Sequence, residues 1–152
     1  MLKINNMVFE SYDCDGVYTN QTFVNCTFYK CMFNNQQFVD CTFINCVFTH
    51  CMCEHTNFIK CTFIDSMFSE VLMNSLDKGK IDACKFINHR IIDTDFGVCE
   101  FTDTSFTGYT KIIGMVEVSN DSIESFPDDV RDKLISFNDN GEYISKSDYS
   151  AE

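Results

Sequence analysis

The residues most suggestive of chemistry form one short run, His50-Cys51-Met52-Cys53-Glu54-His55, which holds four zinc-type ligands within six positions. Thiolate sulfur and imidazole nitrogen are the ligands that structural zinc sites use. The run alone therefore admits a metal site. Whether its side chains can converge on one ion depends on the backbone that carries them, and the surrounding sequence predicts that backbone.

Cysteine is abundant along the whole chain, with ten in 152 residues. In a small secreted domain this number would indicate a disulfide framework. The N-terminus, Met1 to Phe9, has one lysine and no long apolar run, so it does not resemble a signal peptide. No stretch approaches the roughly 18 apolar residues of a membrane span. We therefore expect a cytoplasmic protein whose reduced cysteines act as small buried hydrophobes.

A strict period of five residues runs through the chain. Phenylalanine occupies every fifth position from 23 to 68, except for Cys53, and Met73 continues the series. A mostly small or polar residue, often cysteine, lies two positions before each large one. A second run, shifted in phase by three residues, begins at Ile81 and continues to Phe106. The motif is small-x-large-x-x, in seventeen clear units.

Neither an α-helix nor a straight strand accommodates this period. Five residues advance about 500° around an α-helix, so the phenylalanines would face every direction. In a straight strand an odd period sends successive phenylalanines to opposite faces. A corner after each short extended side removes the conflict, because it keeps the small and the large columns inside. The spacing predicts a coiled β-solenoid, and parallel strands favour right-handed winding.

Cys26-Thr27-Phe28, Cys41-Thr42-Phe43 and Cys61-Thr62-Phe63 resemble the motif of the pentapeptide-repeat family, in which a small and a polar residue precede Leu or Phe. The resemblance covers roughly residues 16 to 108. It implies an all-β fold, a right-handed quadrilateral β-helix with four units per coil, and thus between four and five coils. The expected core ladder consists of Phe23, Cys26, Phe28, Cys31, Phe33, Phe38, Cys41, Phe43, Cys46, Phe48, Cys51, Cys53, Phe58, Cys61, Phe63, Phe68, Phe86, Phe96, Phe101 and Phe106.

This ladder argues against the metal site. Cys51 and Cys53 take the two inward positions of one unit. His50 and His55 fall at the last position of a unit, outside at a corner, so the four side chains cannot converge without breaking the coil. His89 takes an inward small position and is expected to be a strained or hydrogen-bonded core residue. We expect no metal and no cofactor.

The ladder also stacks cysteines on one another. Their Cα atoms would lie about 4.8 Å apart, the spacing of parallel strands, which a disulfide tolerates. Parallel Cβ vectors give poor torsion geometry, however, so reduced thiols are favoured. The stacked pairs are Cys26 with Cys46, Cys31 with Cys51, and Cys41 with Cys61.

The phase shift places an insertion at 74–80, within the solenoid of residues 16–108. Its turn residues and alternating charge predict a loop, and loops on rigid scaffolds often bind partners. A tolerated bulge is the alternative. The candidate partner-binding residues are Asn74, Leu76, Asp77, Lys78 and Lys80.

The two ends need covering, because open strand edges promote aggregation. Residues 1–15 are expected to form an N-terminal cap, 109–143 a C-terminal cap, and 144–152 a flexible tail. Acidic residues follow Pro127, and apolar residues then recur at i, i+4 and i+7, which predicts a short α-helix over 127–137. This helix is expected to cap the solenoid or to form a homodimer contact through Phe126, Val130, Leu134 and Phe137.

Charge and motifs limit the function. The net charge is −12, and residues 109–152 carry ten acids against four basic residues, which disfavours direct nucleic-acid binding. No nucleophile–base pair, phosphate-binding glycine loop or carboxylate dyad stands out. We expect a non-catalytic interaction rod with an unidentified protein partner and no membrane contact.

The family resemblance implies an alternative, since some pentapeptide-repeat proteins are acidic rods that imitate duplex DNA. On that reading the chain would modulate or protect a nucleic-acid enzyme such as a type II topoisomerase, and a phage or mobile element could encode it. Outward lysines at 30, 60 and 85 interrupt the acidic surface. A continuous phosphate-like stripe is therefore not expected.

Overall fold

The computed structural model describes residues 2–11, 16–33, 35–73, 79–138 and 142–144. These residues form a parallel β-solenoid of about six turns. Each complete turn has four sides, so the predicted all-β quadrilateral solenoid is confirmed. No described helix is long and apolar enough to cross a membrane.

Three sides are stacks of short parallel strands, and one is a column of isolated parallel bridges. The first side comprises Leu2–Asn5, Gln21–Val24, Thr42–Ile44, Thr62–Ile64 and the first parts of Lys85–Ile92 and Ser105–Ile113. The second side comprises Val8–Glu10, Thr27–Tyr29, Val47–Thr49, Met67–Ser69 and the second parts of those two long strands. The third side holds the bridging residues Met32, Met52, Leu72, Asp95 and Glu117. The fourth side comprises Val17–Thr19, Gln37–Val39, Asn57–Ile59, Lys80–Asp82 and Glu100–Thr102.

The register of the stacks follows the repeat. Phe23 pairs with Phe43, and Phe43 with Phe63, so one turn contains twenty residues. Phe63 then pairs with Phe86, twenty-three residues further on. The phase shift predicted near 74–80 is therefore absorbed within one turn, and pairing resumes in register.

The corners are made by residues in the left-handed backbone region. Every fifth residue from Asn20 to Glu70 has a φ between +50° and +56°. Ten of the seventeen non-glycine residues with positive φ in the described ranges are Asn or Asp, the types that adopt this conformation most readily. At one corner the Asn45 side-chain amide donates to Asn25 at 2.8 Å, and that of Asn25 donates to Asn6 at 3.2 Å.

Aromatic rings stack along the inside of the first side. The centroids of Phe23 and Phe43 lie 5.1 Å apart, those of Phe43 and Phe63 4.9 Å, and the planes are within 10° of parallel. The stack continues through Phe86 to Phe106 at 4.7 and 4.8 Å. Neighbouring sides meet edge to face, as Phe43 does with Phe48. Both arrangements are favourable for aromatic pairs.

Eighteen of the twenty expected ladder residues are buried; Phe101 and Phe106 are half-buried. Ile81 and Ile91 occupy two of the large positions between Phe68 and Phe96, and they are also buried. The core is therefore one continuous column inside the four sides.

The C-terminal end differs from expectation, because no α-helix forms over 127–137. Val116–Ser119 leads into two 3-10 helices, Asn120–Ser125 and Asp128–Lys133, and the chain then enters the strand Leu134–Phe137. This strand pairs in parallel with Val116–Ser119 and with the short antiparallel strand Tyr143–Ile144.

The helical spacing was misleading because strand pairing competes for the same residues. Leu134 and Ser136 are buried and their neighbours half-buried, which is the period of a strand. Phe126 stacks on Phe106 with centroids 4.8 Å apart and closes this end of the core. Phe126, Val130 and Leu134 are buried within the chain and Phe137 is half-buried. The cap of the solenoid therefore buries most of the side chains through which the homodimer contact was predicted.

The N-terminal segment adds a rung to the solenoid. Leu2–Asn5 pairs with Gln21–Val24, and Val8–Glu10 pairs with Thr27–Tyr29. Phe9 stacks on Phe28 with centroids 4.9 Å apart. Residues 2–10 thus extend the first and second sides by one strand each, although their sequence departs from the repeat.

Truncation of one ladder ring should destabilise the whole rod. Phe43 is fully buried between two parallel rings, so Phe43→Ala should lower the free energy of unfolding by about 3–5 kcal/mol through lost transfer energy and a cavity. Chemical denaturation followed by circular dichroism measures this change. Thr42→Ala, one residue away on the outside, is the matched control; equal midpoints for the two variants would contradict the ladder as the source of stability.

Candidate functional site

The run at 50–55 is divided between inside and outside. Cys51 and Cys53 are buried, His50 is exposed at a corner, and His55 is half-buried at the next corner. Within the described residues, no three His, Cys, Asp or Glu side chains come together to hold a metal ion. The run is therefore part of the coil and its corners.

The buried thiols have a role that the sequence analysis missed. The Cys51 sulfur lies 3.2 Å from the Phe28 carbonyl oxygen of the previous turn, and its thiol can donate there. The Ser66 hydroxyl takes the same place at 3.2 Å from the Phe43 carbonyl, and it accepts from the Cys46 amide at 3.1 Å. The mixture of Cys, Ser and Thr in one column was the available signal, because all three types carry a short side-chain donor.

Burial makes three of these thiols poor nucleophiles, whereas a hydrogen bond with Cys61 lowers the pKa of Cys41 to about 7. Burial raises the pKa of Cys46 to about 11 and that of Cys99 to about 12, and it also raises the pKa of Cys53. The nine cysteines within the described residues are buried, and no disulfide joins any two of them. Since the thiolate is the reactive form, Cys46, Cys53 and Cys99 are suited to packing and hydrogen bonding.

His89 is the exceptional member of the small column. Its ring is fully buried and makes edge-to-face contacts with Phe68 and Phe86 at 4.7 and 4.9 Å. Neither ring nitrogen has a hydrogen-bond partner, nor does the hydroxyl of Thr110 in the neighbouring rung. Burial lowers the pKa of His89 to about 3. The hydrogen-bonded arrangement considered from the sequence is absent, and His89 is a neutral core residue.

Acid should weaken the fold through His89. The unfolded imidazole binds a proton near its ordinary pKa of 6.5, and the folded one only near 3. The contribution of neutral His89 to the free energy of unfolding is therefore complete above pH 6.5 and decreases as the pH falls. The loss should reach about 2 kcal/mol at pH 5. Denaturation at pH 5 and 7 measures it for the unmodified protein and for His89→Leu, which should lack this component.

His55→Gln is the matched control for that experiment, because its side chain lies at a corner and should leave the pH dependence intact. An identical pH dependence for His89→Leu and the unmodified protein would contradict the assignment of the acid sensitivity to His89.

The candidate functional site is a shallow groove on the third side. It has a volume of about 680 Å³ and is lined by His50, Cys51, Met52, Glu70, Leu72 and Asp93. Met52 and Leu72 belong to an apolar stripe that begins with Met32, each one turn from the next along the bridge column. The three side chains are 41%, 37% and 46% exposed, in chain order.

Charge surrounds one end of the apolar stripe. The His50 imidazole lies 2.8 Å from the Glu70 carboxylate at the corner beside Met52 and Leu72. Beyond Leu72 the bridge column continues with Asp95 and Glu117. The stripe therefore changes along the rod axis from apolar to acidic.

The other candidate residues lie elsewhere. Asn74, Leu76, Asp77 and Lys78 of the predicted loop fall outside the described residues, and Lys80 begins a strand on the fourth side with an exposed side chain. The groove was missed because Met52 lies within the run that resembled a metal site, and because a single large residue per turn has no periodic signal until the turns are stacked.

These features define the class of the protein as a parallel β-solenoid built from five-residue units. The sequence model of the family described as pentapeptide repeats matches residues 37–74 in eight copies. Residues 37–74 therefore consist of pentapeptide repeats. Comparison with curated proteins gives no match.

Several solved structures match the chain in part. The pentapeptide repeat protein Rfr23 from the cyanobacterium Cyanothece 51142 matches with a TM-score of 0.49 and 4% identity, over 72% of this chain and 87% of Rfr23. A trypsin-treated variant of QnrB1, a plasmid-mediated fluoroquinolone resistance protein, matches with a TM-score of 0.32 and 12% identity, over 78% of this chain and 81% of its own. Full-length QnrB1 matches with a TM-score of 0.25 and 10% identity, over 98% of this chain and 96% of its own.

Proposed function

We propose that this protein is a non-catalytic interaction rod that binds a protein partner along the third side of its solenoid. The observation that carries the proposal is the exposed apolar stripe of Met32, Met52 and Leu72. Contiguous exposed apolar surface on a folded protein marks interaction sites.

The fold itself does not require apolar residues there. The residue before the large inward position on the first side is Thr22, Thr42 and Thr62 in three successive turns. The corresponding residue on the third side is Met or Leu, although the two positions are equivalent in the coil. The side chains of the stripe therefore reflect a requirement other than folding, and contact with a partner supplies one.

The pitch of the rod indicates the shape of that partner. Successive turns of parallel strands lie about 4.8 Å apart, and one turn of an α-helix rises about 5.4 Å. A helix laid along the rod axis would match three successive turns with residues at i, i+4 and i+7. The acids beyond Leu72 favour a basic residue in the helical turn that follows. The proposed ligand is thus an amphipathic helix with a basic end.

A reducing, cytoplasmic setting is part of the proposal. Nine buried cysteines among the described residues, none joined to another by a disulfide, support it, because stacked thiols are retained where glutathione and thioredoxin are active.

The second candidate function is modulation of a nucleic-acid enzyme such as a type II topoisomerase. It draws support from the carboxylates of Glu70, Asp93, Asp95 and Glu117 at and beyond the groove. Columns elsewhere carry mixed charge, as at the corner where Asp40 and Lys60 occupy adjacent turns. A gyrase supercoiling assay with and without quinolone tests it: inhibition or protection that is lost in Asp95→Asn/Glu117→Gln would favour this function over the first.

Binding of a helical probe should depend on the stripe. The probe is a fluorescent, alanine-rich helical peptide with Leu at i, i+4 and i+7 and two Lys in the next turn. Leu72→Glu should weaken its binding at least tenfold, because one buried Leu contributes about 1.5–3 kcal/mol. Fluorescence anisotropy measures the change, and raising the salt concentration should weaken binding further.

Thr42→Glu is the matched control, since it adds the same charge at the equivalent position on the opposite side. Immobilised protein then extends the test to natural partners: a specific partner should be retained by the unmodified protein and by Thr42→Glu, and lost by Leu72→Glu. Equal binding of the peptide to both variants, or no binding to any, would overturn the proposed surface.

A further inference from the structure

The two ends of the solenoid are finished differently. At the C-terminal end, Phe126 stacks on Phe106, and the 3-10 helices pack over the last strands. At the N-terminal end, the strands Leu2–Asn5, Val8–Glu10 and Val17–Thr19 each pair with the following turn only, within the described residues. The first turn therefore presents three strand edges whose outward-facing backbone groups can pair again.

Apolar side chains concentrate at this open end. Leu2, Met7, Val8 and Val17 are between 48% and 66% exposed, and they are four of the ten exposed large hydrophobic residues in the described ranges. A cavity of about 50 Å³ lies beneath them, lined by the half-buried Ile4, Phe9 and Tyr18 and by rings of the second turn. Strand edges and apolar surface thus coincide on one face of the rod.

We propose that this end is a homodimer interface, in which two copies of the chain join end to end through their first turns. A two-fold axis makes an interface self-complementary, so each copy must offer both halves of every contact. The first turn meets this condition, because each copy offers the two strand edges, Leu2–Asn5 and Val8–Glu10, with which the other copy would pair.

The charges select one arrangement. A two-fold axis through the corner at Asn6 places Leu2–Asn5 antiparallel to Val8–Glu10 of the second copy, and the converse. Inward positions must face each other to continue the core, which puts Ile4 opposite Phe9 of the second copy. In that antiparallel register Lys3 lies opposite Glu10 of the second copy. Opposite charges facing each other across antiparallel strands are stabilising, and the symmetry makes the pair occur twice.

This interface is independent of the groove on the third side, which lies along the rod and not at its end. It also differs from a contact through Phe126, Val130 and Leu134 of the C-terminal cap, which are already buried within the chain. The two proposals can therefore fail separately: Leu72→Glu should leave the dimer intact, and loss of the dimer should leave the groove able to bind the helical peptide.

The test exchanges the two charges. Lys3→Glu alone creates two Glu–Glu contacts across the interface, and Glu10→Lys alone creates two Lys–Lys contacts. Each single variant should raise the dimer dissociation constant at least tenfold in sedimentation velocity at low salt. An equimolar mixture of the two single variants should form a heterodimer, because both contacts then join Glu to Lys. The double variant Lys3→Glu/Glu10→Lys should dimerise like the unmodified protein.

Lys60→Glu, a charge change on a corner of the third turn, is the control and should leave the dimer unchanged. Thermal melting confirms that all variants fold, as expected for exposed positions. A protein concentration of 100 µM is about the dissociation constant of a weak specific complex. An unmodified protein that is monomeric at this concentration would overturn the proposal. A dimer that is insensitive to both charge changes, or a mixture that stays monomeric, would also overturn it.

Discussion

In-register stacking of identical side chains is the constraint on which the rest of the structure depends. Phe43 lies between Phe23 and Phe63 with ring planes within 10° of parallel. This contact exists only if each turn contains the same number of residues, or if an insertion is absorbed before the next ring. The strand pairing of Phe63 with Phe86 shows that three extra residues are accommodated without loss of the stack. Backbone pairing and ring stacking therefore select the same register.

The corners and the small column serve this constraint. Left-handed residues at every fifth position turn the chain and restore the same inward orientation on each side. The small position brings a side chain close to the carbonyl group of the previous turn, where Cys51 or Ser66 can donate to it. The buried thiol or hydroxyl thus finds an acceptor inside the coil, where leaving it unpaired would cost free energy. The abundance of cysteine follows from this geometry and needs neither disulfides nor metal.

Most of the inward residues could be predicted from the sequence because five-residue spacing has one physical solution. Cys51 and Cys53 could be placed inside on that basis, and the adjacent histidines at corners. Residues 127–137 could not be placed correctly, because Val130 and Leu134 fit a helical stripe and are also buried when Leu134 begins a strand. The outcome depends on the free edge of Val116–Ser119, which the local sequence does not reveal. The hydrogen bonds of the thiols likewise depend on carbonyl groups about twenty-three residues away.

The fold restricts the residue type less at outward positions than at inward ones, so functional surfaces can arise at the outward positions. Threonine on the first side and methionine or leucine on the third occupy equivalent positions, so the coil tolerates either. A residue type at one outward position forms a continuous surface stripe when it repeats in register over several turns, because the turns stack on one another. Met32, Met52 and Leu72 form such a stripe, and Asp95 and Glu117 change its chemistry within the same column. The stacking of turns must stop at both ends of the solenoid. Phe126 ends the stack of rings at the C-terminal end, whereas the first turn retains strand edges with which another turn can pair.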